Sequence, residues 1–330
     1  MNRLLIVDGH AYAYRAFHAI RNLRGPEGRP TNAIYGFVKM LEKLRAALAP
    51  AGLMVVWDGG LSAERMTALP EYKTHRPEMP EDLRTQLDEI VSYLAAAGVA
   101  SFCGDGIEAD DYIACLARRA ADAGWNVVIA SADKDFMQLV SPGAGDKRQV
   151  PGDKIGEVGS CHLSPDTCHA GSIGLWNPND KTETIWSREQ VLAKAGVAPE
   201  QVADWLALMG DAVDNIPGVP GVGQKTAAEL VRQFGSATAL LARLAEVKSE
   251  KLRAALEQSA EAVRRNLRLV QLHEVPCEFV PEQLAVKPAN REQLRDLFRR
   301  WGFKGMIESL DRLAAPKQSA GGSGQQVELI

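Results

Sequence analysis

The stretch that most constrains this chain runs from Gly104 to Asp135, GDGIEADDYIACLARRAADAGWNVVIASADKD. Five carboxylates, Glu108, Asp110, Asp111, Asp133 and Asp135, stand there in two short groups on either side of one helix. The helix is predicted from Asp110 to about Ala123, because Ile113, Leu116, Ala117 and Ala120 recur at helical spacing. Trp125 to Ala130 is then a nearly continuous apolar run, the pattern of a parallel strand covered on both faces. In a strand–helix–strand unit the loop before the helix and the end of the next strand share one sheet edge, so the two acidic groups face each other. Carboxylates that converge repel unless they are protonated or bridged by cations. An oxygen-only donor set of this density suits Mg²⁺ or Mn²⁺. The alternative is that Asp110 and Asp111 only cap the helix while Asp133 and Asp135 are solvated.

Two earlier strands repeat the pattern. Leu4 to Val7 runs into Asp8, and Leu53 to Trp57 runs into Asp58. One strand-end acid is a commonplace cap, but several on one edge of a parallel sheet mark the edge where open α/β sheets place their sites. The fold class predicted is therefore α/β, a mostly parallel sheet flanked by helices, with helices near Ala11–Ile20, Ala33–Ala47 and Leu83–Ala97. Residues 61–84 break the pattern. Prolines 70, 77 and 80 rule out one continuous helix, and Tyr72, Lys73, His75, Arg76 and Arg84 make the segment too polar for core. It reads either as a surface loop or as a mobile arch over the acidic edge, with cations for phosphates and a ring for base stacking.

Residues 141–173 are dense in glycine and proline and read as loop or short hairpin. Cys161, His162, Cys168 and His169 lie within them; zinc is one reading, but the spacing is tighter than structural zinc sites favour. From Arg188 the chain turns helical. Pro199 to Met209 is an amphipathic helix, followed by Asp211 and Asp214 on one side of a turn. The GVPGVG segment opens into a helix at Gln224 or Lys225, and its backbone N–H groups with the helix's positive end suit a phosphate. Basic helices follow, about Ser249–Asn266 and Arg291–Arg300. The last residues read as a flexible Gly/Ser linker with a short apolar end.

The chain of 330 residues can hold one large or two medium domains. No apolar run approaches the ~20 residues of a membrane span. Five cysteines form no disulfide framework, so a reducing cytoplasm is expected, with association to the nucleoid.

VDGHAYAYRAFHA, PTNAIYGFVKML, PEYKTHRPEMPEDLR, EADD, ADKDFMQLV and LALMGDAVDNIPGVPGVGQKTA together resemble the 5′-nuclease domain of bacterial DNA polymerase I, which belongs with the flap endonucleases. The likeness runs in order from Leu4 to about Leu310. No polymerase sequence follows, so a stand-alone 5′-3′ exonuclease and flap endonuclease is expected. The resemblance implies that Asp8, Asp58, Glu108, Asp110, Asp111, Asp133, Asp135, Asp211 and Asp214 are metal-binding acids for two or more Mg²⁺ or Mn²⁺ ions. It implies that Arg15, Tyr72, Lys73 and Arg76 hold the scissile phosphate and terminal nucleotide. It implies a helix-hairpin-helix element at Ile216, Gly218, Val219, Gly221, Val222, Gly223, Gln224, Lys225 and Thr226 that grips duplex backbone, in relatives often with K⁺ at the hairpin carbonyls. His10 and Ala11 depart from the pattern, standing where serines are common.

The domain division expected is a nuclease core over residues 1–185, a helix-hairpin-helix region over 186–290, helices over 291–316 packing back on the core, and a tail over 317–330. Net charge is −4, but setting nine acids aside from 42 leaves 33 against 38 Lys and Arg, so basic surface remains for DNA. The implied reaction is hydrolysis of a DNA phosphodiester with two ions about 4 Å apart. The substrate expected is nicked or branched duplex with a 5′ end or flap, and RNA primers are a further candidate. A small-molecule phosphohydrolase and a non-catalytic junction binder are the rival readings. Gln326, Val327, Glu328, Leu329 and Ile330 resemble a short sliding-clamp motif, although a frayed tail has the same composition. A monomer without membrane contact is expected.

Overall fold

The computed structural model describes residues 2–142 and 171–312. In chain order it contains β1 (Arg3–Asp8), α1 (Gly9–Ala19), α2 (Asn32–Leu48), β2 (Gly52–Trp57), α3 (Ala63–Ala68), α4 (Glu81–Ala96), β3 (Ala100–Cys103), α5 (Ala109–Asp122) and β4 (Asn126–Ala130). There follow β5 (Ile173–Trp176), β6 (Ile185–Trp186), α6 (Arg188–Ala195), α7 (Val202–Met209), and a small ladder of β7 (Gly210–Asp211) with β8 (Ile216–Pro217). The chain closes with α8 (Gln224–Phe234), α9 (Ala237–Ala242), α10 (Glu250–Gln258), α11 (Ala260–Val270), α12 (Pro281–Leu284), α13 (Arg291–Trp301) and α14 (Lys304–Arg312).

The main sheet has the order β3-β2-β1-β4-β5-β6, parallel except for the antiparallel β6. Side chains alternate across it, as a pleated strand requires. Leu4, Ile6, Val127 and Ile129 face one layer with Ile113, Leu116, Ala117 and Ala120 of α5 and the apolar faces of α7, α8 and α11. Leu5, Val7, Val55 and Val128 face the other, with α1, α2 and α4, and with Leu294, Leu297, Phe298 and Trp301 of α13. The four α5 residues expected to face the core are fully buried. Burial of Ile113 and Leu116 stabilises by about 1.5–3 kcal/mol each, and Leu116→Ala would cost about 2–5 kcal/mol through the cavity it leaves.

Three departures from the sequence reading bear on the site. Strands β3 and β5 join the sheet beyond the strands the apolar runs predict, and β5 begins at Ile173, the last residue of the segment that reads as loop or short hairpin. Residues 61–84 do enter the core: Arg65, Tyr72 and Lys73 are buried, because ion pairs and hydrogen bonds satisfy their polar ends. The basic helix expected over Ser249–Asn266 is two, broken at Ser259. Cys161, His162, Cys168, His169 and the 326–330 motif lie outside the described residues. Among the described residues no helix is long and apolar enough to cross a membrane.

Candidate metal centre and nucleic-acid interface

Each acid is delivered by an element end. Asp8 closes β1 and caps α1: one oxygen accepts from the Ala11 N–H at 3.0 Å, the other from Ser131 Oγ at 2.8 Å. Asp58 follows β2 and accepts from the Ala109 N–H at 2.8 Å, which ties it to the first turn of α5. Glu108 stands at the N-cap position of α5 without capping it through its side chain, and Asp110 sits in that first turn. Asp133 follows β4 and accepts from the Asp135 N–H at 2.9 Å. Asp211 ends β7, and the turn to β8 carries Asp214.

A cleft of about 600 Å³ opens on this edge, lined by Asp8, Asp58, Asp110, Asp133, Asp211 and Asp214 together with His10, Tyr14, Arg76, Met79, Lys134 and Val213. A groove of about 500 Å³ between α3 and α11 is apolar by comparison and gathers no such set. Asp135, Asp211 and Asp214 offer oxygens within 4.8 Å of one another. Asp135 Oδ1 is buried with no hydrogen-bond partner, an orphan that a hard cation would satisfy.

The electrostatics point the same way. Burial, with Asp58 and Asp133 nearby, pushes Asp8 up to about 7 against the hydrogen bonds from Ala11 and Ser131. Asp110 is raised well above the ordinary carboxylate value by burial and then by Asp133. Asp135 is raised likewise by burial and then by Asp133, Asp211 and Asp214. Groups that resist ionising together are those that bound cations relieve. The residues present therefore fit divalent ions.

Glu108 behaves differently. Burial pushes it up, but Lys73, Arg65 and the Ser62 N–H outweigh burial and leave its pKa below the ordinary value. It is 1% exposed, with Oε1 accepting from Ser62 N at 3.0 Å and Oε2 from the Tyr72 hydroxyl at 3.1 Å and the Lys73 ammonium. Lys73 has φ +56°, a left-handed conformation held by its N–H donating to Asp214 O at 3.0 Å. Such backbone costs about 1–3 kcal/mol and persists where surrounding contacts over-determine it.

Several expected site residues are placed otherwise than anticipated. Asp111 is turned away from the cleft: consecutive helical residues are about 100° apart, and its carboxylate is taken by Arg65 and the His273 N–H. It is an interior ion-pair partner, not positioned as a metal ligand. Tyr72 is buried, so its ring is not offered for stacking; its hydroxyl serves Glu108. Arg15 donates to Asn179 and borders a separate small cavity with Tyr12, not the acidic cleft. Arg76 does face the cleft, donating to Asp214 at 2.6 Å.

His10 and Lys134 also line the cleft, although no pattern of strand-end acids singles them out. His10 Nδ1 accepts from the Asp58 N–H at 3.1 Å, and its ring stands edge-on to Trp57. Lys134 was legible as the base between two acids in ADKD.

The hairpin leads straight out of the acid cluster, because Asp211 pairs with Ile216 across the β7–β8 ladder. Gly218 is required there: a Cβ would lie 2.1 Å from Met209 O. Ile216, Val219 and Val222 are buried anchors. Gln224 donates to Lys194 O at 3.0 Å. Gly221, Gly223, Gln224 and Lys225 form the exposed face, with Thr226 half-buried, at the start of α8.

Residues 3–150 match the family described as 5′-3′ exonuclease, N-terminal resolvase-like domain, and residues 197–292 match 5′-3′ exonuclease, C-terminal SAM fold. The chain belongs to the 5′-3′ exonuclease family. It is accordingly an enzyme of the nuclease class. The 5′-3′ exonuclease of Aquifex aeolicus is 33% identical over 315 residues, covering 95% of this chain and 96% of that protein. DNA polymerase I of Bacillus caldotenax is 35% identical over 310 residues, 94% of this chain, which spans only 32% of that polymerase's length. The exonuclease-family fold recurs in the T5 D15 protein co-crystallised with metal ions, at TM-score 0.62 and 21% identity over 95% of this chain and all (100%) of that one. It recurs in the catalytic core of Rad2 in complex with DNA, at TM-score 0.62 and 15% identity over 96% and 92% of the two chains.

Proposed function

We propose that this chain is a divalent-metal-dependent 5′-3′ exonuclease and 5′-flap endonuclease that hydrolyses DNA phosphodiesters in replication or repair. One observation carries the reading. Acids from three strand ends and from the β7–β8 ladder and its turn converge on one cleft, and that same ladder leads on to a hairpin where Gly221, Gly223 and Lys225 are exposed. A small-molecule phosphohydrolase would need the acids but not the hairpin, and a non-catalytic junction binder the reverse.

Asp8, Asp58, Asp110 and Asp133 are the residues we assign to one Mg²⁺ or Mn²⁺, and Asp135, Asp211 and Asp214 to a second. Bound there, such ions supply a water of lowered pKa and neutralise charge on the reacting phosphate. The chain itself contributes Arg76, which faces the cleft and can pass from Asp214 to a phosphate oxygen. Lys73 is buried against Glu108, so it orients that carboxylate before any phosphate arrives. The exposed Gly221, Gly223 and Lys225 suit duplex phosphates, which position without reading sequence. K⁺ at the hairpin, RNA primers as substrate, a monomeric state and action at the nucleoid in the cytoplasm extend the same reading. Clamp binding by Gln326–Ile330 rests on sequence alone; deleting those residues should abolish any affinity for a sliding clamp and leave cleavage of free flaps unchanged.

The test is cleavage of a labelled 5′-flap duplex in Mg²⁺, with Asp110→Asn as control. Expected are products released only with divalent ion, and none from the variant. Tight duplex binding without cleavage would favour the junction binder. Hydrolysis of a nucleotide ester without duplex affinity would favour the phosphohydrolase.

A further inference from the structure

The chain's own cations are distributed unevenly over the carboxylates. Glu108 holds Lys73 and Arg65, Asp214 holds Arg76 and, at 3.9 Å, Lys73 as well, and Asp211 holds Lys134 at 3.0 Å. Among the described residues no ion pair engages Asp8, Asp110, Asp133 or Asp135. Lys134 is flanked in sequence by Asp133 and Asp135, yet its ammonium pairs with neither. It crosses to Asp211, the acid delivered by β7, and its side chain is one-third exposed (34%) on the cleft wall.

The three carboxylates that come within 4.8 Å of one another are thus filled in a particular way. Two are neutralised by tethered cations, and the third, Asp135, keeps a buried oxygen with no partner. This arrangement holds the β7–β8 turn against the end of β4 without a bound ion, which bare carboxylates would not do.

We propose that Lys134 is a positioning residue, a tethered counter-ion that occupies the charge of the Asp135–Asp211–Asp214 pocket and competes there with a divalent cation. The inference rests on the metal-dependent reading. It orders the two pockets: on the side built from Asp8, Asp58, Asp110 and Asp133 the described ion pairs are limited to His10 with Asp58, while Lys73 acts on Asp110 only at longer range, so that side fills first. The Lys134 pocket fills second. A partly exposed ion pair is weak, so the competitor is displaceable. A phosphate entering the cleft gives the released ammonium a new anion, and binding of substrate and of the second ion then reinforce each other reciprocally.

The experiment counts ions without relying on activity. Mn²⁺ binding is followed by electron paramagnetic resonance of the free ion, in wild type, Lys134→Met and Lys134→Arg, without DNA. Expected for wild type are one tighter and one weaker site. Lys134→Met should tighten the weaker site about fivefold or more and leave the tighter one near its original constant. Lys134→Arg, which keeps charge and reach, should return the weaker constant. Unchanged constants in Lys134→Met, equal tightening of both sites, or no reversal by Lys134→Arg overturns the proposal while leaving the metal-dependent reading intact. Should wild type bind no Mn²⁺ at all, that reading fails and the proposal falls with it.

Discussion

Arg65 and Asp111 form a buried two-pronged ion pair, Nη1 to Oδ2 at 2.7 Å and Nη2 to Oδ1 at 2.8 Å. Arg65 also donates from Nε to Leu269 O at 3.1 Å and from Nη2 to Gln271 O at 2.9 Å, while Asp111 accepts from the His273 N–H at 2.8 Å. The pair therefore joins α3, α5 and the segment leaving α11, and it stands directly behind the acids of the cleft.

Neighbouring substitutions in α5 should then have opposite consequences. Asp111→Asn breaks the two-pronged contact and leaves buried Arg65 with Glu108, at 3.2 Å, as its remaining carboxylate, a loss of up to about 3–5 kcal/mol. Asp110→Asn removes a carboxylate raised by burial and by Asp133, so stability should hold or rise while cleavage is abolished. Urea unfolding and a flap assay on both variants check this. Equal stability of Asp111→Asn and wild type would mean that the pair is not the tie described.

Residues Asp110 and Asp111 also show how far the sequence could be read. Acids ending apolar strands were legible at Asp8, Asp58 and Asp133, because parallel strands covered on both faces are continuous apolar runs. Strand β3 was not, since ASFC is short and alternates in burial at the sheet edge. Which of two adjacent helical acids faces the cleft depends on Arg65, 46 residues away from Asp111, and no local pattern carries that. The burial of Tyr72 and Lys73 is equally non-local: their partners are Glu108 and Asp214, 36 and 142 residues from Tyr72. A polar composition said loop, and tertiary pairing overrode it.

The raised carboxylates set a pH dependence. Asp8 ionises near 7 in the fold instead of near 3.8. Between those values the metal-free folded chain binds protons that the unfolded chain has released. Its stability contribution is thus present at low pH and falls as pH rises toward about 7. Divalent ions need the ionised form and reverse the penalty. The rise in melting temperature on adding Mg²⁺ should be small at about pH 5 and grow through about pH 7. Scanning calorimetry with and without Mg²⁺ measures it, and an increment independent of pH would contradict the assignment of these acids.

Lys73→Ala should affect chemistry more than folding. Glu108 would keep Arg65 at 3.2 Å and the Tyr72 hydroxyl, so the stability cost should stay near about 1–3 kcal/mol. The single-turnover rate on a flap should fall about 10²-fold or more, the scale for removing one preorganised charged group. A normal rate at saturating enzyme would remove Lys73 from the site.

The hairpin separates anchors from contacts, and two substitutions distinguish them. Lys225 is exposed at the start of α8, so Lys225→Glu should leave unfolding unchanged. It should weaken flap and plain duplex alike and lower the log–log salt slope by about 1. Ile216 is buried, and Ile216→Ala should cost about 2–5 kcal/mol. Because Ile216 pairs with Asp211 across the ladder, that variant should also weaken divalent-ion binding at the Asp135–Asp211–Asp214 pocket, which Lys225→Glu should not. Duplex titrations over a range of salt, set beside Mn²⁺ binding for both variants, resolve the two effects. A drop in Mn²⁺ affinity with Lys225→Glu equal to that with Ile216→Ala would show diffuse charge, not the ladder, coupling hairpin to cleft.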